Sequence, residues 1–313
     1  MQTVSAIAGR FLETDRRFLW ALCYRMTGNA ADADDIVQDT FVKAIEKPPS
    51  RLDEPLRPWL VHVAMNLSRD LLRRRRRRGY EGEWLPSPIP TDDTSDLPSY
   101  EPPSAVEDSP CTRYELIESI SIAFLLALEA LTPSQRAVLL LRDVFDYSTD
   151  ETADALGMTA SNVKVSLHRA RARMREYDKN RSIPTSSLRE KTKLALEKFL
   201  ICLNHRDAAG LEQLLAENVI SLSDSGGVVA AARVPVRGRS RVRRLVMGLN
   251  EKSAGTFDLK FGDVNGLPAG FFTSRIQRKG FASRFCFQCE LDDQGRIRRL
   301  YTVLAPAKLT AIK

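Results

Sequence analysis

The sequence predicts a multidomain chain: two all-α helical domains followed by an α+β domain. Three observations carry this. Apolar residues recur at helical spacing over 5–78 and again over 111–178. A stretch rich in Pro, Ser, Asp and Glu, 79–110, lies between these blocks. Beyond about residue 216 come short alternating runs bounded by turn dipeptides. A length of 313 residues agrees, since one core rarely grows past ~250–300 residues.

In the first block Phe11, Phe18, Leu19, Leu22 and Met26 form one stripe, and "TGN" at 27–29 offers a stop followed by an Asn cap. A second helix is expected from about Ala30 to Glu46, ended by the prolines of "KPPSRLDEP". A third carries Trp59, Leu60, Val63, Ala64, Leu67 and Leu71 on its apolar side and runs into "LLRRRRRR". In the second block Leu116, Ile117, Ile120, Phe124, Ala127, Leu128 and Leu131 form a stripe. Thr132-Pro133-Ser134-Gln135 then supplies an N-cap, a proline at the first helical position and a capping-box glutamine; Ser148 and Glu151 repeat the spacing.

"STDETADALGMTASNVKVSLHRARARMRE" (148–176) reads as a helix-turn-helix. Gly157 sits where the turn needs positive φ, and Thr159 caps the second helix. Val163, Leu167, Ala170 and Met174 face the core, leaving Lys164, Val165, His168, Arg169 and Arg171 outward. That is the form of a recognition helix in a major groove. The plainer alternative is a helical hairpin with a solvated basic face.

The third region opens with one or two helices over 188–216. Strand-like runs follow: "NVISLS", "GGVVAAARV", "TFDLKFGDV", "GFFTSRIQ", "FASRFCFQCEL" and "RIRRLYTVLA", with "NGLPAG" and "DDQG" as turns. A mainly antiparallel sheet is expected, with a helix after Gly238 because Val242, Leu245, Val246 and Leu249 fall at helical spacing. The expected boundaries are 1–80, a linker at 81–110, 111–180 and 188–313.

The chain is basic, with 47 Lys+Arg against 40 Asp+Glu. The excess gathers at 71–78, 168–175 and 233–244, which permits nucleic acid as a partner. Yet "ADADDIVQDTFVKA" (31–44) concentrates acid, with Asp32, Asp35 and Asp39 on one helical face. No run is apolar enough to span a bilayer and no signal pattern opens the chain, so a cytoplasmic protein without membrane contact is expected. Five scattered cysteines suit buried thiols, and Cys286 and Cys289 on one strand would point to opposite faces. No metal and no cofactor is expected.

The two helical domains resemble bacterial RNA polymerase sigma factors of the extracytoplasmic-function (ECF) class. "DADDIVQDTFVKA" is similar to the acidic helix of sigma domain 2, "RPWLVHVAMNLSRDLLRRRRRR" to the helix after it, and 147–175 to the helix-turn-helix of sigma domain 4. The resemblance implies that Asp32, Asp35, Gln38, Asp39 and Phe41 dock on core polymerase, at the clamp helices of the β′ subunit, with the flap of β as a further partner. It implies that Arg57, Asn66, Arg69, Arg73 and Arg74, with the loop 47–57, hold melted −10 DNA. It implies that Ser161, Lys164, Val165, His168, Arg169 and Arg171 meet the −35 promoter duplex. Val165 departs from the small polar residue common there.

Residues 188–313 resemble a SnoaL-like domain, a cone-shaped α+β fold related to nuclear transport factor 2 (NTF2-like), found as an extension in a SigJ-like subgroup of ECF sigma factors. "WLPSPIP" (84–90), "SDSGG" (223–227) and "NGLPAG" (265–270) are similar to that subgroup's motifs, singling out Asp224, Gly226, Gly227, Asn265, Gly266 and Pro268. The resemblance implies transcription initiation tuned in cis through contact between the C-terminal domain and the sigma domains, and no enzyme activity. Two other readings stand beside it: a helix-turn-helix DNA-binding regulator with a ligand-sensing domain, and a cyclase- or hydratase-like enzyme with Asp224 as general base.

Overall fold

The computed structural model of the chain describes residues 13–48, 55–91, 113–253 and 255–312. They form two compact units: 13–79 with 113–182, and 80–91 with 183–312.

The first unit is all helical. Helix α1, Glu13–Thr27, is buried on every side from Phe18 to its end, because α2, α3 and α5 surround it. Helix α2, Ala30–Glu46, starts at Asn29, whose side chain accepts from the Ala31 N–H; it buries Ala33, Ile36, Val37, Thr40 and Ala44. Helix α3, Arg57–Arg78, has proline in its first turn, buries Leu60, Val61, Ala64, Met65, Ser68 and Leu72, and stops at Gly79 with φ +74°. Of the loop 47–57, residues 49–54 lie outside the described residues, as do 92–110 of the expected linker and the two residues after it.

The stripe over 116–131 is not one helix. A 3-10 turn, Glu118–Ile120, precedes α4, Ile122–Leu128. Ser121 between them is extended and accepts from the Phe124 N–H, so a new N-cap interrupts the pattern. Helices α5 (Pro133–Asp143) and α6 (Thr149–Leu156) begin with full capping boxes at Thr132/Gln135 and Ser148/Glu151. Gly157 is left-handed with φ 60°, and Thr159 caps α7, Ala160–Lys179. Helix α7 packs on α4, α5 and α6, while α3 packs on α5 and α6.

The second unit is α+β. Helices α8 (Ser186–Asn204), α9 (Ala208–Leu214) and α10 (Arg239–Ser253) accompany a six-stranded sheet. The strands are β1 Leu215–Asp224, β2 Val236–Arg237, β3 Phe257–Val264, β4 Leu267–Ser274, β5 Arg284–Leu291 and β6 Ile297–Val303. Their order is β2-β1-β6-β5-β4-β3, antiparallel except between β1 and β6. Leu196, Phe199, Leu211, Val219, Val242, Phe287, Cys289 and Leu300 form the core between helices and sheet.

One expected strand is absent. "GGVVAAARV" turns at Gly226 and Gly227, both at positive φ, and continues irregularly to the two-residue β2. Strand β5 is buried on both faces, so Cys286 and Cys289 are both buried thiols. Burial pushes Cys289 up to about 12, with the nearby Glu290 adding to the shift, and raises Cys286 as well.

Residues 80–91, the start of the stretch expected to be a linker, are built into this unit. Leu85, Pro86, Ser87, Pro88 and Ile89 are all buried. The carboxylate of Asp224 accepts from Tyr80 Oη at 2.6 Å, the Leu85 N–H at 2.8 Å, the Gly226 N–H at 3.0 Å and Lys308 Nζ at 2.5 Å. Lys308 also donates to the Leu85 carbonyl at 2.6 Å and lies over the rings of Tyr80 and Trp84. Farther along, Asn265 and Gly266 make the two-residue β3–β4 turn at φ 52° and 82°. Asn265 Oδ1 accepts from the Ile89 N–H, the Asn265 N–H donates to the Ile89 carbonyl, and the Gly266 N–H donates to Thr91 Oγ1. Aliphatic periodicity could not signal this, because a proline-rich strip is held through its backbone.

Asp224 and Lys308 are 0 % and 3 % exposed. Asp224→Ala strands a buried ammonium and is expected to destabilise this unit by about 3–5 kcal/mol, read from its urea transition. In Asp224→Asn with Lys308→Met, which carries no charge, much of that loss returns.

Candidate nucleic-acid interface

Three surfaces carry the residues singled out above. On α2, Asp35, Gln38 and Asp39 are exposed, and Asp32 and Phe41 are half-buried. The apolar spacing of the helix turns its other side into the core, so this face is left outward. Val42 and Ile45 extend it; with Val165 they are the large apolar side chains exposed among the described residues of the first unit. The sequence reading missed both, although they sit one turn beyond Gln38 and Phe41. Asp34 accepts from Trp20 Nε1 at 2.8 Å, and partial burial raises its pKa against that hydrogen bond. It anchors the helix to α1.

On α3 the arginines divide. Arg57 pairs with Asp15 at 2.6 Å and Arg73 with Asp70 at 2.7 Å; Arg74 is exposed. Asn66 contacts His62 Nε2 at 3.0 Å. Arg69 points into the helix-turn-helix: it donates to the Leu156 carbonyl at 3.1 Å, at the C-terminal end of α6, and to Ser134 Oγ at 3.4 Å. That carbonyl carries the negative end of the helix dipole, which suits a cation. Desolvation is the main cause of the lowered Arg69 pKa, with Arg73 adding to it.

Arg75 donates to the Thr27 carbonyl and to Glu129, both at 2.8 Å, and Arg76 to the Leu131 carbonyl at 2.5 Å. From the opposite side Arg136, 3 % exposed, donates to the Met26 and Leu128 carbonyls and to Glu129. Arg25 reaches Ser119 Oγ and the Leu116 carbonyl. Burial would raise Glu129, but Arg136 and Arg75 outweigh it and hold its carboxyl below the ordinary 4.5. The run 73–78, read as phosphate-contacting charge, is thus partly a structural seam.

On α7, Ser161, Lys164, Val165, His168 and Arg169 are exposed together, since 163, 170, 174 and 177 face inward. Arg171 is exposed as well, and it also has a partner on the protein. Its guanidinium is engaged by both oxygens of the buried Asp143, at 2.6 and 2.9 Å, tying α7 to the end of α5. Tyr177 Oη and Arg181 likewise meet the buried Glu118.

In the second unit, Asp224, Asn265 and Gly266 bind residues 80–91, as described. Gly226 and Gly227, at φ 59° and 75°, make the left-handed turn that follows Asp224. Pro268 is buried in β4. The sequence reading missed Lys308, which no periodicity or motif marks. Among the described residues no cluster of three or more His, Cys, Asp or Glu could hold a metal ion. No helix among them is long and apolar enough to cross a membrane.

An acidic helix, an arginine-ended helix and a helix-turn-helix in one unit resemble the parts of a sigma-70-type factor. Residues 11–78 match the family Sigma-70 region 2, and 121–174 the family Sigma-70, region 4. The ECF RNA polymerase sigma factor SigG of Mycobacterium tuberculosis is 39 % identical over 170 residues, covering 52 % of this chain and 46 % of that one. The chain therefore spans about half the length of that relative. The ECF RNA polymerase sigma factor SigJ of Mycobacterium tuberculosis is 29 % identical over 242 residues, 77 % of this chain and 72 % of that one. Its crystal structure superposes with a TM-score of 0.71 at 25 % identity, covering 95 % and 96 % of the two chains. The chain is thus similar to ECF sigma factors over both sigma-70 regions, and to the SigJ crystal structure over nearly its whole length.

Because Glu129 is held below 4.5, its contribution to stability is complete above that value and lost as pH falls through the lower, folded one. Thermal melts of the full chain between pH 7 and pH 3 are expected to show a shallower acid decline for Glu129→Gln, from a lower starting Tm.

Proposed function

We propose that the chain is a promoter-specificity subunit: it binds core RNA polymerase in the cytoplasm and directs initiation at its own promoters. The observation that carries this is the pairing, in one unit, of an outward acidic and apolar face on α2 with an outward basic face on α7. A DNA-binding repressor has use for the second face and none for the first. Asp32, Asp35, Gln38, Asp39 and Phe41, with Val42 and Ile45 beside them, dock on the clamp helices of β′. The acid is on a surface where it cannot serve DNA, and the apolar residues supply the contact area that charge alone lacks.

Arg57, Asn66, Arg69, Arg73 and Arg74 hold the melted −10 strand, where cations track the backbone of single-stranded DNA. Arg69 does this after leaving the Leu156 carbonyl, so −10 engagement and the seam with the helix-turn-helix exclude each other. Ser161, Lys164, Val165, His168 and Arg169 meet the −35 duplex, with Arg171 positioning the helix through Asp143. The flap of β lies against the −35-binding domain.

The C-terminal unit regulates in cis. It holds residues 80–91, which lie in sequence between regions 2 and 4, and so sets how much chain is left to span them. Catalysis by this unit is disfavoured at Asp224: a general base needs an accessible oxygen, and this buried carboxylate already accepts from Tyr80, Leu85, Gly226 and Lys308.

Asp35→Arg with Asp39→Arg is expected to abolish co-purification with core polymerase while leaving the circular dichroism intact; undiminished complex formation sinks the docking assignment. Removing 183–313 frees residues 80–91 and is expected to change run-off transcription from the cognate promoter. Unaltered output would falsify regulation in cis.

A further inference from the structure

Val165 stands out on the recognition helix. It is 45 % exposed on the second turn of α7, while the other large apolar side chains there, Val163, Leu167, Met174 and Tyr177, are buried or half-buried. Around it Ser161, Lys164, His168 and Arg169 are exposed, at the i−4, i−1, i+3 and i+4 positions. Those four can satisfy themselves on phosphates or on base-edge acceptors. A valine can do neither. Nor does it serve the helix, since a β-branched residue is a poor choice at a solvated helical site.

Among base-edge groups in the major groove, the apolar one is the C5 methyl of thymine. A valine in a helix is nearly locked in one rotamer, so its two methyl groups are presented without further ordering. We propose that Val165 is a specificity-determining residue that reads a thymine methyl in the −35 duplex. This rests on α7 being the −35 recognition helix. Lys164 and Arg169 hold the helix on the backbone and on purine acceptors, and Val165 selects thymine over cytosine at the base it faces. Cytosine presents a bare C5–H and an amino donor there, which leaves the valine without a contact and the donor against an apolar surface.

The test removes the methyl group alone. A promoter is selected from a −35-randomised duplex library by core polymerase loaded with the full chain. Each −35 thymine is then replaced singly by deoxyuridine, and open-complex formation is measured. At one position deoxyuridine is expected to reduce complex formation roughly fourfold, the fold-change given by burial of one methyl group. In Val165→Ala, an exposed site whose fold is checked by circular dichroism, thymine and deoxyuridine become equivalent at that position.

The proposal is overturned if no thymine is sensitive, or if Val165→Ala keeps the full deoxyuridine penalty. Lys164→Ala, assayed in parallel, separates the two levels. If it weakens −35-dependent initiation while deoxyuridine is silent, only thymine reading falls. If neither Lys164→Ala, Arg169→Ala nor −35 base changes matter, the recognition-helix assignment falls with it.

Discussion

A guanidinium that water cannot reach must be met by oxygen, and Arg136 imposes that condition on the first unit. Its nitrogens take the Met26 carbonyl from the end of α1, the Leu128 carbonyl from the end of α4 and the Glu129 carboxylate. Burial lowers its pKa, and Glu129 opposes that shift. The ends of two helices and one acid therefore have to converge on one side chain. Arg75 approaches the same carboxylate from α3, so a single acid joins both helical regions. Arg25 and Arg69 add four more hydrogen bonds across the seam, two each, to carbonyls and hydroxyls. Removing Glu129 leaves the buried Arg136 guanidinium without its counter-charge, and removing an arginine leaves carbonyls and hydroxyls unmet, which is why such networks are held together as a set.

The second unit solves a similar problem with an ammonium. Lys308 is roofed by two aromatic rings and floored by Asp224, and the same carboxylate fixes the backbone at Leu85. A proline-rich strip lacks several N–H donors and cannot join a sheet as an ordinary strand. It is held at isolated points instead: by Asp224 at one end, and by Asn265 and Gly266 at the other.

Much of the helical unit was legible from the sequence because its signals are local. Asn29, Thr132, Ser148, Gly157 and Thr159 each announce a helix boundary through hydrogen bonds within three residues of themselves. The outward faces of α2 and α7 follow from helical periodicity alone. Ser121 shows the limit: the apolar stripe runs past it without a break in spacing, yet it caps a new helix. The false strand at 226–234 has the same origin, since its valines and alanines alternate without partners and two glycines at positive φ turn the chain aside. The long-range pairs could not be read. Arg136 with Met26, Arg171 with Asp143 and Lys308 with Leu85 join residues 110, 28 and 223 positions apart. Nothing in an arginine's neighbours says whether it will meet a phosphate or a carbonyl.

That ambiguity has an electrolyte consequence. Each phosphate neutralised on duplex DNA contributes ~0.9 to the slope of affinity against salt, through the counterions it releases. A guanidinium already bound to a carbonyl or carboxylate releases none. Arg75, Arg76, Arg136 and Arg171 are held in this way. With those side chains engaged, fewer counterions would be released on a duplex than the arginine runs suggest, so any grip of this chain on arbitrary DNA would depend less on ionic strength.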